Sequence, residues 1–124
     1  MRDFHLFTNT KITAEDCLES LKKEIAGIVK NGEKGIMIQG KNRAYLWFTD
    51  DRILDCFEST IDEFQRKVPI ENAYITDFET YRSVDAKKVF AVLMQIYPEI
   101  YINVDDSSNW YGTAQEYIDT AFDY

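Results

Sequence analysis

The segment "GIMIQGKNRAYLWFTD", residues 35–50, constrains the fold more than any other part of the chain. Two short apolar, β-prone runs flank Gly40-Lys41-Asn42, a glycine- and asparagine-containing turn, so residues 35–39 are expected to pair with about 44–49 as a β-hairpin. Period-two alternation sets Tyr45 and Trp47 on one face and Leu46 and Phe48 on the other. One of these faces has to meet a core, and the opposite one becomes an aromatic patch if no helix covers it.

Helices are legible on both sides of the hairpin. Ala14, Cys17, Leu18, Leu21, Ile25 and Ile28 recur at three and four, Thr13 suits the N-cap and Asp16 follows three residues on, so a helix is expected over 14–29, stopping at Asn31-Gly32. Ile53, Phe57, Ile61, Phe64 and Val68 repeat at four, four, three and four, which fits a helix and not a strand; Pro69 ends it. Ser83 opens a helix with Val89, Val92, Leu93 and Ile96 as its buried stripe, and Pro98 closes it. The T-x-x-E box of Thr113 and Glu116 starts a last helix, 114 to about 122. Three further strands are expected: "DFHLF", "NAYITDFE" and "EIYINVD", the last with Ile100, Ile102 and Val104 opposite Tyr101 and Asn103. The order β-α-β-β-α-β-α-β-α predicts a single compact α+β domain over 1–124, with a mixed or antiparallel sheet and about four helices packed on it.

Composition narrows the class of partner. The 14 basic and 22 acidic residues give a net charge of −8, distributed as +2 over residues 1–43 and −10 over 44–124. Such a surface repels phosphate backbones and anionic lipid, which speaks against nucleic acid or a membrane as direct ligand and for a basic protein. No run approaches the roughly 18 apolar residues of a membrane span and the first residues lack a signal-peptide core, so a cytoplasmic location is expected. Cys17 and Cys56 are isolated, without metal-ligand spacing, and read as buried reduced thiols.

No chemical signature stands out. The glycines form neither GxGxxG nor GxxxxGK[ST], and His5, the only histidine, alternates with Phe4 and Leu6 on a strand. Catalytic residues, a metal and a cofactor are therefore not expected, although Asp105-Asp106 at a strand end leaves open a divalent-metal hydrolase centred on that pair. Asp106, Ser107, Ser108 and Asn109 are equally good turn formers. On one continuous helix, Asp51, Asp55, Glu58 and Asp62 fall within about 60° of one another, an exposed carboxylate ridge. Trp110 and Tyr111 follow a polar loop and offer aromatic contact area.

A small acidic α+β chain without catalytic motifs, carrying carboxylates beside aromatic groups, resembles the immunity proteins that bacteria make against polymorphic toxins, including those of contact-dependent growth inhibition. The resemblance is one of type over the whole chain. It implies a cytoplasmic, non-enzymatic toxin inhibitor that occludes the active site of a basic partner, plausibly a nuclease toxin. The contact residues expected from the sequence are Asp51, Asp55, Glu58 and Asp62 for steering, with Asp105, Asp106, Trp110 and Tyr111 as the grip. A small regulatory ligand-binding domain remains the other alternative.

Overall fold

β1 (Arg2–Thr8) lies inside a seven-stranded sheet of order β2-β3-β4-β5-β1-β6-β7, in which every neighbouring pair is antiparallel. The computed structural model describes residues 2–39 and 43–122. β2 is Ile28–Asn31, β3 Gly35–Gln39, β4 Ala44–Trp47, β5 Tyr74–Thr80, β6 Tyr101–Val104 and β7 Tyr111–Thr113; the helices are α1 (Ala14–Glu24), α2 (Glu58–Lys67), α3 (Ser83–Met94) and α4 (Ala114–Ile118). β1 and β5 form the longest pairing, from Arg2 opposite Thr80 to Thr8 opposite Tyr74. The α+β class is as expected, and the sheet is antiparallel throughout the described residues.

Alternation decides what each face carries. Phe4, Leu6, Ile36, Ile38, Leu46, Phe78, Ile102 and Val104 point to one side and are buried beneath α1, α3 and α4. At the centre of that layer Phe4 meets Phe78, Phe90 and Tyr117 with ring centroids 5.4 to 5.6 Å apart. Each such ring removes enough apolar area from water to contribute about 1.5–3 kcal/mol, with roughly 0.5–1.5 kcal/mol more from a tilted or edge-on aromatic pair. Tyr117 shares a 2.8 Å hydrogen bond between its hydroxyl and that of Ser83, so the polar tip is satisfied inside the core.

The opposite face is covered only in part. α2 lays Phe64 edge-on against Phe7, 4.9 Å between centroids, and Ile53, Val68, Ile70, Ala73 and Ile75 complete this second cluster. α2 therefore roofs one end of the face, and among the described residues no helix lies over the other end.

Two expected helices are shorter than their spacing suggested. α1 ends at Glu24, and Ile28–Asn31 is a strand paired with β3, from Ile28 opposite Gln39 to Asn31 opposite Ile36. Gly27 makes the switch with φ at +123°, a conformation closed to L side chains, and a Cβ built there would stand 2.6 Å from the Gln39 carbonyl oxygen. Gly27→Ala is expected to lower stability by at least about 1 kcal/mol through backbone strain and that contact, as read from chemical denaturation. The helix expected from Ile53 to Val68 is broken: Ile53–Asp55 form a single 3-10 turn, and α2 begins after Phe57. Ile53, Phe64 and Val68 still face one core cluster, with Ile61 packed against it, so helical spacing matched across the break although Phe57 itself points to solvent.

Smaller differences follow from local bonds. β7 was not expected; it pairs Tyr111–Thr113 with Tyr101–Asn103. Ser83 is the first helical residue instead of the cap, and α4 stops at Ile118. The Thr113–Glu116 capping box forms as expected, with reciprocal bonds of 3.0 and 2.9 Å. Cys17 is buried, and burial pushes its thiol up to about 12; Cys56 is only half-buried. β3 and β4 pair as the hairpin reading required, while its turn, Gly40-Lys41-Asn42, lies outside the described residues.

Candidate functional site

The unroofed end of the sheet carries two transverse rows of side chains. Register places Trp47, Asp77, His5 and Asn103 side by side on β4, β5, β1 and β6. The next row holds Tyr45, Glu79 and Asp3, and Asp105 joins its end, where the Asp105 backbone N–H donates to the Asp3 carbonyl at 2.8 Å. Neighbouring strands are about 4.8 Å apart and the two rows about 6.8 Å apart along each strand, which sets the spacing of these groups. Between them opens a cleft of about 430 Å³ lined by Asp3, His5, Trp47, Asp77, Glu79 and Asp105. A second recess of about 380 Å³, bounded by Asp51, Asp55, Phe57 and Phe64, is also lined by His5 and Asp77. The two hollows share those walls as one trough.

Hydrogen bonding fixes how His5 presents itself. Asn103 directs its amide Nδ2–H groups to the Asn109 side-chain oxygen (3.0 Å) and the Trp110 carbonyl (3.2 Å), leaving Oδ1 for His5. The His5 Nδ1–H consequently donates to that oxygen at 2.9 Å. Nε2 faces the trough, 4.0 Å from a carboxylate oxygen of both Asp77 and Asp105.

Carboxylates here are crowded without cations. Among the described residues, no lysine or arginine lies within ion-pair distance of Asp3, Asp77, Glu79 or Asp105. Partial burial pushes the Asp77 carboxyl above its ordinary range; His5 opposes the rise, and Asp51, Asp105 and Asp3 add to it. A raised folded-state pKa means that the ionised form costs stability above that pKa, a cost that disappears below the unfolded value near 3.9. Asp77→Asn should thus raise the thermal midpoint at neutral pH, with the gain shrinking as pH falls through the acidic range. A midpoint at pH 7 equal to or below that of the wild type would contradict this.

The residues expected from the sequence are dispersed. Asp51 and Asp55 border the second recess, but Glu58 and Asp62 sit exposed on α2, because the break after Asp55 dissolves the single helix that would have aligned all four. Asp105 reaches the cleft. Asp106 turns away to accept from the Ser108 hydroxyl and backbone and to pair with Arg2 at 3.3 Å, and those bonds, led by the Ser108 hydroxyl, hold its carboxyl below the ordinary range. The turn-forming reading of this loop is the one the structure adopts.

Trp110 and Tyr111 part company for the same stereochemical reason that makes β7 a strand. Trp110 packs edge-on to Tyr117 and Phe122 on the helix-covered side and is no exposed grip. Tyr111 points to the opposite face, half-buried, and its hydroxyl donates to Glu63; burial and that carboxylate hold the phenol well above its ordinary value. The aromatic surface next to the cleft comes from the hairpin: Tyr45 and Trp47 stack with centroids 5.8 Å apart, and Trp47 is 36% exposed. Phe57, 87% exposed, projects at the far end of the trough.

Sequence reading gives Asp3, Asp77 and Glu79 no role and places His5 only as a strand residue alternating with Phe4 and Leu6. The available signal was the alternation of Asp3-Phe4-His5-Leu6 and of Asp77-Phe78-Glu79, two strands that each turn polar groups to the face opposite their phenylalanine. Among the described residues no group of three histidine, cysteine or acidic side chains is placed to hold a metal ion, and no helix is long and apolar enough to cross a membrane. Comparison with family models, curated proteins and solved structures finds no match for the chain.

Proposed function

We propose that the protein is an inhibitor that neutralises a basic partner enzyme, a nuclease toxin in the immunity-protein manner, by seating its acidic trough over the partner's substrate cleft. The observation that carries this reading is the unroofed sheet face, where Asp3, Asp77, Glu79 and Asp105 surround His5 and Trp47 and lack a lysine or arginine counter-charge among the described residues. An enzyme that binds phosphates has a positive cleft, and a negative concave surface is drawn to it over distance before close contact forms. Trp47 and Phe57 then supply apolar area of the kind that anchors interfaces. A hydrolase centred on Asp105 and Asp106 draws no support from the geometry, since one carboxylate faces His5 and the other faces Arg2.

The test has two stages. The tagged protein is used to capture partners from a lysate of its own organism at low and moderate salt, and the captured protein is then assayed with and without one equivalent of inhibitor. One basic enzyme, retained more strongly at low salt and silenced at stoichiometric addition, is the expected result. Capture of no basic protein, or of an enzyme whose activity is unchanged, would refute the reading.

A further inference from the structure

We infer that the cleft bordered by Trp47, Asp77, Glu79, Asp3 and Asp105 takes an arginine side chain presented by the partner. This rests on the reading of the unroofed face as the docking surface for a basic protein, and it names the group recognised there.

Three features of the cleft choose among cations. Its side-chain polar lining is dominated by acceptors: the four carboxylates of Asp3, Asp77, Glu79 and Asp105, two of them 4.0 Å from His5 Nε2, while His5 Nδ1 is engaged by Asn103. A ligand that satisfies such a lining has to bring several donors. The carboxylates stand on two strands, β1 and β5, and the segment after β6, with no three of them close enough to close around a metal ion, so one compact cation cannot serve them together. A guanidinium is a wide, flat fork with five N–H donors and can reach carboxylates on adjacent strands at the same time, whereas an ammonium acts as a point charge.

Trp47 supplies the third feature. Its indole borders the cleft beside Asp77, and Tyr45 stacks on it from the neighbouring row. A planar cation lying along that ring gains from the quadrupole of the indole, an attraction made more often by arginine than by lysine. The cavity of about 430 Å³ leaves room for the guanidinium and much of its stem. Entry of one positive charge also separates like charges that the fold leaves in mutual repulsion around Asp77.

Two blocked tripeptides with central arginine or lysine serve as the probes, titrated at millimolar concentration into the isotope-labelled full chain and followed by NMR. Saturable shifts at the Trp47 indole N–H, His5 and Asp77 with the arginine peptide are expected, with the lysine peptide bound at least about threefold more weakly. Trp47→Leu should weaken the arginine peptide by about three- to fivefold and the pair Asp77→Asn/Glu79→Gln by about tenfold or more, each variant keeping the dispersed spectrum of the folded chain. Equal binding of both peptides, shifts that the variants leave unchanged, or no shifts at all would overturn the assignment. A chain that captures and silences a basic enzyme yet ignores both peptides would lose the arginine site and keep the inhibitor function. Arginine-selective shifts in a chain that captures no enzyme would uphold the site and remove the inhibitor reading.

Discussion

Asp77→Lys combined with Glu79→Lys is expected to abolish capture of the basic partner at moderate salt, a loss of about a thousandfold or more in affinity. Both side chains stand on β5 in the middle of the unroofed face, one beside His5 and Trp47 and the other between Tyr45 and Asp3. Reversal replaces two attractions by two repulsions inside the contact, and each like-charge juxtaposition costs several kcal/mol at an interface. The fold should tolerate the exchange. Neither carboxylate has a lysine or arginine partner to lose among the described residues, and both flank Phe78, whose burial is on the other side. Surface plasmon resonance with the captured enzyme gives the affinity, and circular dichroism with a thermal scan checks the fold. Retention of binding within about threefold of the wild type, in a folded double variant, would place the contact elsewhere on the molecule.

Phe4→Ala is expected to show the opposite division of effects, a cost of about 3–5 kcal/mol in folding stability. Phe4 is 1% exposed, and its ring touches three other aromatic rings drawn from β5, α3 and α4. Those elements come from distant parts of the chain and cannot all relax into the space left by a phenyl group. Domains of this size have about 5–15 kcal/mol in total, so the variant should unfold at a much lower denaturant concentration, with part of the population unfolded near room temperature. Its folded fraction should still bind partner, because Phe4 faces the helices while Asp3 and His5 face the trough. A loss below about 1.5 kcal/mol in urea titration would mean that the aromatic cluster is not the centre of the core.

Much of the architecture was legible in the sequence because burial imposes a period on it. β1, β5, β6 and the β3–β4 pair all alternate; α3 shows its stripe, and the Thr113–Glu116 box marks α4. Where reading failed, a competing regularity was present. Ile25 and Ile28 prolong the helical spacing of α1 by coincidence, and only the torsion at Gly27 tells the chain to turn back as β2. Ile53 and Phe57 keep helical spacing across a 3-10 turn and a break, which carried Asp51 and Asp55 onto a ridge that does not exist. β7 spans three residues, too few for a period to declare itself.

The trough was less legible for a different reason. A helical face gathers residues three and four apart, so its chemistry can be read along the chain. A sheet face gathers residues by register: Trp47, Asp77, His5 and Asn103 are neighbours only after four strands have paired. Alternation tells which side Asp3 and His5 take, but strand order decides that Asp77 and Trp47 stand beside them, and single-sequence patterns do not encode that order. Trp110 was misjudged on the same ground, since only the pairing of β7 with β6 turns it inward.

That dependence on register has a consequence for when the protein can act. The walls of the trough are contributed at positions 3, 5, 47, 77, 79 and 105 of a 124-residue chain. A nascent chain leaving the ribosome at about 5–20 residues per second holds its first aspartate many turnovers of the elongation cycle before the last one emerges. Until β1 has waited for β5 and β6 and closed with both, no segment of it displays more than a fragment of the negative surface. Pairings across such sequence distances are slow steps in folding. Under the proposed function a partial copy lacks the docking surface, because its walls meet only once β1 has paired with both β5 and β6.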